Sequence, residues 1–293
     1  MRKTVLFTAA MVTAAMASAQ TGEITSNRGE NWLSQSGDWG LTFDATPLLN
    51  YAGNLFNGTG ASSNTNGGVA LNNFFSSVGV GNGSEGVVIG GKKLIDANTA
   101  YRGRVRIGFG SHKDTELVNV VPAPNPAPAY PNPMPQVEDV TKEGYMAVQL
   151  GAGIEKRFGS TRVVGVYGGE LNFGIGSGKT TYEYGNALSN DNQNSRPTEE
   201  KAGSAMGFGL NGFIGVEWFA APKISLSGEY TWGLSMNNTG HTEVTTEYWV
   251  PSTSTPNTGS VQSVTVEAGT KHSDFSIDTG VSGARIGVNF YFQ

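Results

Sequence analysis

The chain holds three histidines, His112, His241 and His272, and two of them stand beside a serine and an acid. Ser111 and Asp114 flank the first, and Ser273 and Asp274 follow the last. These are the residue types of an activated serine, in which an imidazole takes the hydroxyl proton and a carboxylate orients the ring. None of the histidines has the close spacing of a metal-ligand motif, so no metal is expected. The segment Gly174-Ile-Gly-Ser-Gly-Lys179 has the composition of a phosphate loop, but no strand-to-helix context follows it, and no cofactor is implied. The absence of Cys excludes disulfides and thiolate chemistry.

Glu217 and Glu229 are a second candidate, a carboxylate pair suited to general acid and base work. The elements that must position them speak against it. Alternate residues Met206, Phe208, Leu210, Ile214, Val216 and Trp218 are apolar, as are Ile224, Leu226, Tyr230, Trp232 and Leu234 in the next segment. The intervening positions carry Asn211, Glu217, Ser225, Ser227, Glu229 and Thr231. Period-two alternation of this length predicts a β-hairpin with one apolar and one polar face. No helix or second sheet is available to cover the apolar face. Strands apolar on one side and charged on the other are what a transmembrane barrel needs.

Other bulk features agree. Arg2 and Lys3, an apolar run from Val5 to Met16 and the small residues Ala17-Ser18-Ala19 predict a signal peptide over 1–19. The 19 basic residues, less Arg2 and Lys3, face 24 acidic ones, which leaves a formal charge of −7 in the mature chain. That balance argues against nucleic acid as a partner. No window beyond the signal is apolar for long enough to be a helical span.

The expected fold is all-β: an eight-stranded antiparallel up-and-down transmembrane β-barrel. After a periplasmic N-terminal segment at 20–36, the barrel fills 37–293. Its strands are expected at about 37–51, 86–95, 100–112, 144–158 and 163–185. The hairpin above supplies two more strands, and residues 272–292 supply the last. Every second connection is short, at Asp96–Thr99, Gly159–Arg162 and Ala220–Lys223. In this architecture short turns face the periplasm and long loops face outward, with both termini in the periplasm. No leftover segment is large enough for a periplasmic domain or a plug. The proline-spaced stretch within 113–143 is read as a stiff polyproline loop.

Inward-facing positions then carry Arg102, Arg104, Arg106, Arg157 and Arg285 against Asp44, Glu155, Glu170, Glu217 and Glu229. Buried charges must be paired, and an eight-stranded barrel is narrow enough for side chains to fill. This set is therefore read as a structural network that closes the lumen. Phe158, Trp218, Phe290 and Phe292 recur at one end of successive strands and are expected to form a periplasmic aromatic girdle. Alternation continues through Lys179–Tyr184 and Thr242–Trp249, beyond the ten or so residues that cross a bilayer. These stretches, with Ser260–Glu267, are expected to project as a small sheet.

The chain resembles the small outer-membrane β-barrel proteins of Bacteroidota, in the wider OmpX- and OmpW-like group. The resemblance rests on the signal ending Ala-Ser-Ala-Gln20, on Gly90-Gly-Lys-Lys-Leu-Ile-Asp-Ala-Asn-Thr-Ala-Tyr-Arg102, and on Arg285-Ile-Gly-Val-Asn-Phe-Tyr-Phe292. It implies recognition of the last strand by the barrel-insertion machinery, through Ile286, Val288, Phe290 and Phe292. Lipid of the outer membrane is the expected surrounding, and an extracellular protein or surface ligand the expected outer contact. The function expected is non-enzymatic: envelope structure or surface contacts. A narrow solute channel is the alternative, and a lipid A or peptide hydrolase at the rim a more distant one.

Overall fold

A computed structural model describes residues 24–45, 89–255 and 258–293. The expected signal, the first loop and the adjoining stretches at 46–51 and 86–88 lie outside these residues.

Eleven strands appear among the described residues: β1 (Trp39–Asp44), β2 (Ile89–Asp96), β3 (Thr99–Asn119), β4 (Gln136–Phe158), β5 (Val163–Glu183), β6 (Ser195–Lys201), β7 (Ala205–Ala221), β8 (Ile224–Thr239), β9 (Thr242–Pro251), β10 (Gly259–Ala268) and β11 (His272–Phe292). No helix occurs among them. All pairings are antiparallel. Eight strands, β1 to β5, β7, β8 and β11, each pair with the next, and β1 closes the circuit on β11 from Trp39↔Phe292 to Asp44↔Gly287. The result is a ring without a free edge at the level where it closes.

The two faces of the ring follow the sequence alternation. Along β7, Met206, Phe208, Leu210, Ile214, Val216 and Trp218 are exposed, while Asn211, Phe213, Glu217 and Phe219 are buried. Along β3 the outward residues include Tyr101, Val105, Ile107 and Phe109, the last 79% exposed.

At the long-loop end the sheet continues beyond the ring. Strand β5 pairs with β7 only as far as Gly176, and from Lys179 onward it pairs with β6. Then β6 pairs with β9, and β9 with β10 over ten rungs. The expected small sheet is therefore present, with β6 as the strand between its parts. The sequence hides β6 because Pro197 breaks its pattern; that proline sits where the β6–β9 register shifts, a place a strand tolerates it. Gly203 and Gly240 mark where the chain steps between ring and extension. A Cβ on Gly203 would lie 1.9 Å from the Gly240 carbonyl oxygen. The β3–β4 hairpin is also longer than expected: Lys113–Asn119 and Gln136–Glu143 are paired strand, and the proline-rich loop shrinks to residues 120–135.

At the short-turn end, the described part of the N-terminal segment expected ahead of the first strand folds across the opening. Leu33 enters the ring and packs with Leu94, Ala100, Val164, Val166, Phe219 and Tyr291. Trp32 stacks under Arg162, whose guanidinium is 3.8 Å from its ring. The Lys223 amide donates to the Trp32 carbonyl at 3.1 Å, and the Lys223 ammonium pairs with Asp38. Among the described residues this short segment fills the opening at that end.

Truncating the wedge, Leu33→Ala, should lower stability by about 2–4 kcal/mol. The check is the urea midpoint of the folded protein, with the exposed Asn27→Ala as a surface control expected to leave it unchanged.

Candidate functional site

The interior charges are positioned by alternation on five strands. Arg102 and Arg104 stand on β3, Glu155 and Arg157 on β4, Glu170 on β5, Glu217 on β7 and Glu229 on β8. All are buried except Arg104, which is half-buried. Gly151 on β4 provides the room: a Cβ there would lie 2.7 Å from Asn172 Oδ1 and 3.0 Å from Glu170 Oε1.

Glu155 is the hub. Lys92 Nζ lies 2.9 Å and Arg102 Nη1 3.2 Å from its Oε2, while Arg157 Nη1 lies 3.0 Å from Oε1. Arg157 Nη1 also stands 2.9 Å from Glu217 Oε2. The other oxygen of Glu217 accepts from the Tyr291 hydroxyl at 2.6 Å, from Asn289 Nδ2 at 3.2 Å and from the Ser225 hydroxyl. Further along, Arg102 Nη2 donates to Glu229 at 2.9 Å, and Arg104 Nη2 lies 2.8 Å from Glu170. Arg285 reaches Glu229 at 3.9 Å. The Arg157–Glu217 and Arg104–Glu170 contacts are close, but Glu217 Oε2 and Glu170 Oε2 accept no hydrogen bond. Their attraction is coulombic rather than directional. Arg106 lies on the same face one step beyond Arg104 and is half-buried.

The structure thus brings together Arg102, Arg104, Glu155, Arg157, Glu170, Glu217, Glu229 and Arg285. Asp44 is on β1, its Cα opposite Gly287, but its side chain lies outside the described part. Lys92 belongs to the network and was not among the expected residues. Two adjacent lysines obscure which faces inward, and only register decides. Lys92 stands opposite Gly40 and Arg102, and points inward. Lys93 stands opposite Trp39 and points outward, its ammonium 4.5 Å from the indole centre.

One cavity borders the cations of the network. The cavity among Thr42, Lys92, Arg102, Arg104 and Arg285 measures about 10 Å³, around the least that holds one water. Arg102 also lies over the Phe213 ring at 4.1 Å. Glu155, Glu170, Glu217 and Glu229 each stand within ion-pair distance of a cation.

Of the four aromatics expected to form a girdle, Trp218, Phe290 and Phe292 are exposed on the outer face near the short turns, as are Trp39 and Tyr101. Phe158 is half-buried at that level, tilted against Tyr167 at 6.1 Å.

The histidine groups do not assemble as activated serines. Ser111 and His112 are adjacent on β3 and point to opposite faces, as do Ser273 and His272 on β11. His112 Nε2 instead meets Asp114 Oδ1 at 3.0 Å, both exposed. It borders a recess of about 590 Å³ with Glu143, Tyr145 and Thr180. His241 faces the Gly269 carbonyl at 3.3 Å.

The outer face of the extension is laced by cross-strand pairs: Lys142 with Glu183, Lys179 with Glu199 at 2.8 Å, and Lys201 with Glu243 at 3.2 Å. The Lys142 ammonium, by hydrogen bond and charge, holds the Glu183 carboxyl below its ordinary range.

Comparison with protein families, curated proteins and solved structures finds no match to this chain.

Glu155→Gln should cost about 3–5 kcal/mol, because three cations lose their shared partner. The double variant Arg157→Met with Glu217→Met should cost less than the sum of its singles in a double-mutant cycle of denaturant midpoints. In a carboxyl NMR titration, Glu183 should titrate below a free glutamate and rise in Lys142→Met. Because its folded value is depressed, its contribution is present at neutral pH and is lost as pH falls through that value.

Proposed function

We propose that the eight-strand ring is a transmembrane β-barrel of a bacterial outer membrane, with a charge-paired, closed lumen. Its function is envelope structure and surface contact through the sheet at its outer end. The observation that carries this reading is an apolar outer belt on the described strands around an ion-paired interior. On β7 the belt runs from Met206 to Trp218 and on β8 from Ile224 to Met236. That is about twelve steps of ~3.4 Å on a strand tilted by ~40°, or roughly 30 Å of height. An outer-membrane barrel has an apolar band about 25 Å tall, flanked by aromatic residues. Including Trp218 at the border accounts for much of the difference.

Both limits of the belt have the expected chemistry. Trp39, Tyr101, Trp218, Phe290 and Phe292 gather at the short-turn end, as residues at a headgroup level do. At the other end the belt gives way to Lys142, Lys179 and Lys201 with their glutamates, a composition suited to water. In a soluble protein such a belt would be a very large exposed apolar surface. The resemblance to the OmpX- and OmpW-like group points the same way.

The lumen favours a closed barrel over a channel. Its middle layer is filled by Lys92, Arg102, Arg157 and their carboxylates, and its short-turn end by Leu33 and its neighbours.

In unboiled gels the folded protein should migrate differently from the boiled form, and in planar bilayers it should show no steady unitary conductance. A steady conductance would overturn the closed reading. The chain has no Cys, so orientation can be read from single introduced thiols. On intact cells a membrane-impermeant maleimide should label Ser263→Cys and spare Ser160→Cys in the short β4–β5 turn. The reverse pattern would overturn the outward placement of the extension.

A further inference from the structure

Among the described residues, the outermost strand of the extension ends the sheet with an edge that carries no proline, lysine or bulge. Among the described residues β10 pairs on one side alone, with β9. Its sequence, Gly259-Ser-Val-Gln-Ser-Val-Thr-Val-Glu-Ala268, has no Pro and no Lys. The β9–β10 ladder runs without a register shift through all ten rungs. Edge strands are normally blunted by prolines, lysines, bulges or covering segments. Here Val261, Val264 and Val266 are each close to half-exposed, on both faces of the strand.

Charge indicates what the edge accepts. On the outer face, Glu267 stands directly opposite Glu243 across the β9–β10 ladder. Glu243 is engaged on its other side by Lys201. Like charges directly opposite destabilise a sheet, whereas an opposite charge on the next strand stabilises it. Among the described residues no cation pairs with Glu267. The row therefore ends on a carboxylate where an added strand with a basic residue would complete it.

We propose that the free edge of β10 binds an extended peptide strand of another protein by backbone pairing, and selects a lysine or arginine opposite Glu267. The proposal rests on the outward placement of this sheet given above, and it names the class of partner. A second copy fits poorly, because residues 259–268 contain no basic side chain for the position. The segment 46–88 of the same chain also contains neither lysine nor arginine. Backbone pairing supplies affinity in this mode, and alternate side chains supply specificity.

The test uses the full-length protein folded in detergent micelles and the acetylated heptapeptide Lys-Val-Thr-Val-Thr-Gln-Val, followed by fluorescence anisotropy. The sequence sets Lys against Glu267 in antiparallel register. The Lys peptide should bind about five- to tenfold more tightly than its counterpart with Glu in first place. Glu267→Lys should reverse that order. Methylating alternate peptide nitrogens on the pairing side should abolish binding, since the ladder loses its donors. Three results would overturn the proposal: no binding of the Lys peptide at ~1 mM, equal binding of the methylated form, or an unchanged order in Glu267→Lys. Self-association of the protein that the peptide displaces would assign the edge to a second copy and overturn it as well. Because binding is measured on purified protein, it stands apart from maleimide labelling on cells, which tests the outward placement by itself.

Discussion

A carboxylate removed from water costs several kcal/mol unless cations or donors stand against it, and this ring is organised around that demand. Glu155 meets Lys92, Arg102 and Arg157, and these three come from β2, β3 and β4. Glu217 and Glu229 extend the set to β7 and β8. The pairing thus ties together strands that are distant in the chain. It also fixes their register, since a one-residue slip would turn every guanidinium outward and every apolar side chain inward. Ring closure and ion pairing therefore require each other. The ring brings the charges together, and the charges penalise any other alignment of the ring.

The two ends of the ring are finished by different physics. At the short-turn end, apolar burial does the work: Leu33 fills the opening among Leu94, Val164, Val166 and Phe219. Tyr291 joins this apolar layer to the charged one, because its ring stacks on Phe219 and its hydroxyl donates to Glu217. At the other end, among the described residues, nothing comparable closes the sheet. Strands β5, β6, β9 and β10 carry it outward, held by backbone ladders and by solvent-facing Lys–Glu pairs. Such exposed pairs contribute little stability each. Their larger role is to keep the face hydrated, which leaves the free edge of β10 as the place where further pairing can occur.

Much of this was legible in the residues. Arg102, Arg104, Glu155, Arg157, Glu170, Glu217 and Glu229 all lie on the face that alternation assigns them, as do the exposed Trp218, Phe290 and Phe292. The extension through Thr242–Trp249 and its pairing with Ser260–Glu267 were legible for the same reason. What escaped was whatever alternation leaves ambiguous. Lys92 and Lys93 are neighbours of one type, so the pattern cannot say which is buried. Strand β6 is polar on both faces and carries Pro197. Leu33 is one apolar residue in a polar segment. The paired serines and histidines looked like a constellation in one dimension, but neighbours on a strand point apart.

The sequence by itself determined which side chains share a face, because that depends only on the two-residue period of an extended chain. It determined in this way an apolar exterior and a charged interior for each strand. The tertiary structure alone decided which carboxylate meets which cation, which lysine is buried, what closes the short-turn end and which edge stays free. Those outcomes depend on register and on contacts between strands far apart in sequence, and no local periodicity carries that information.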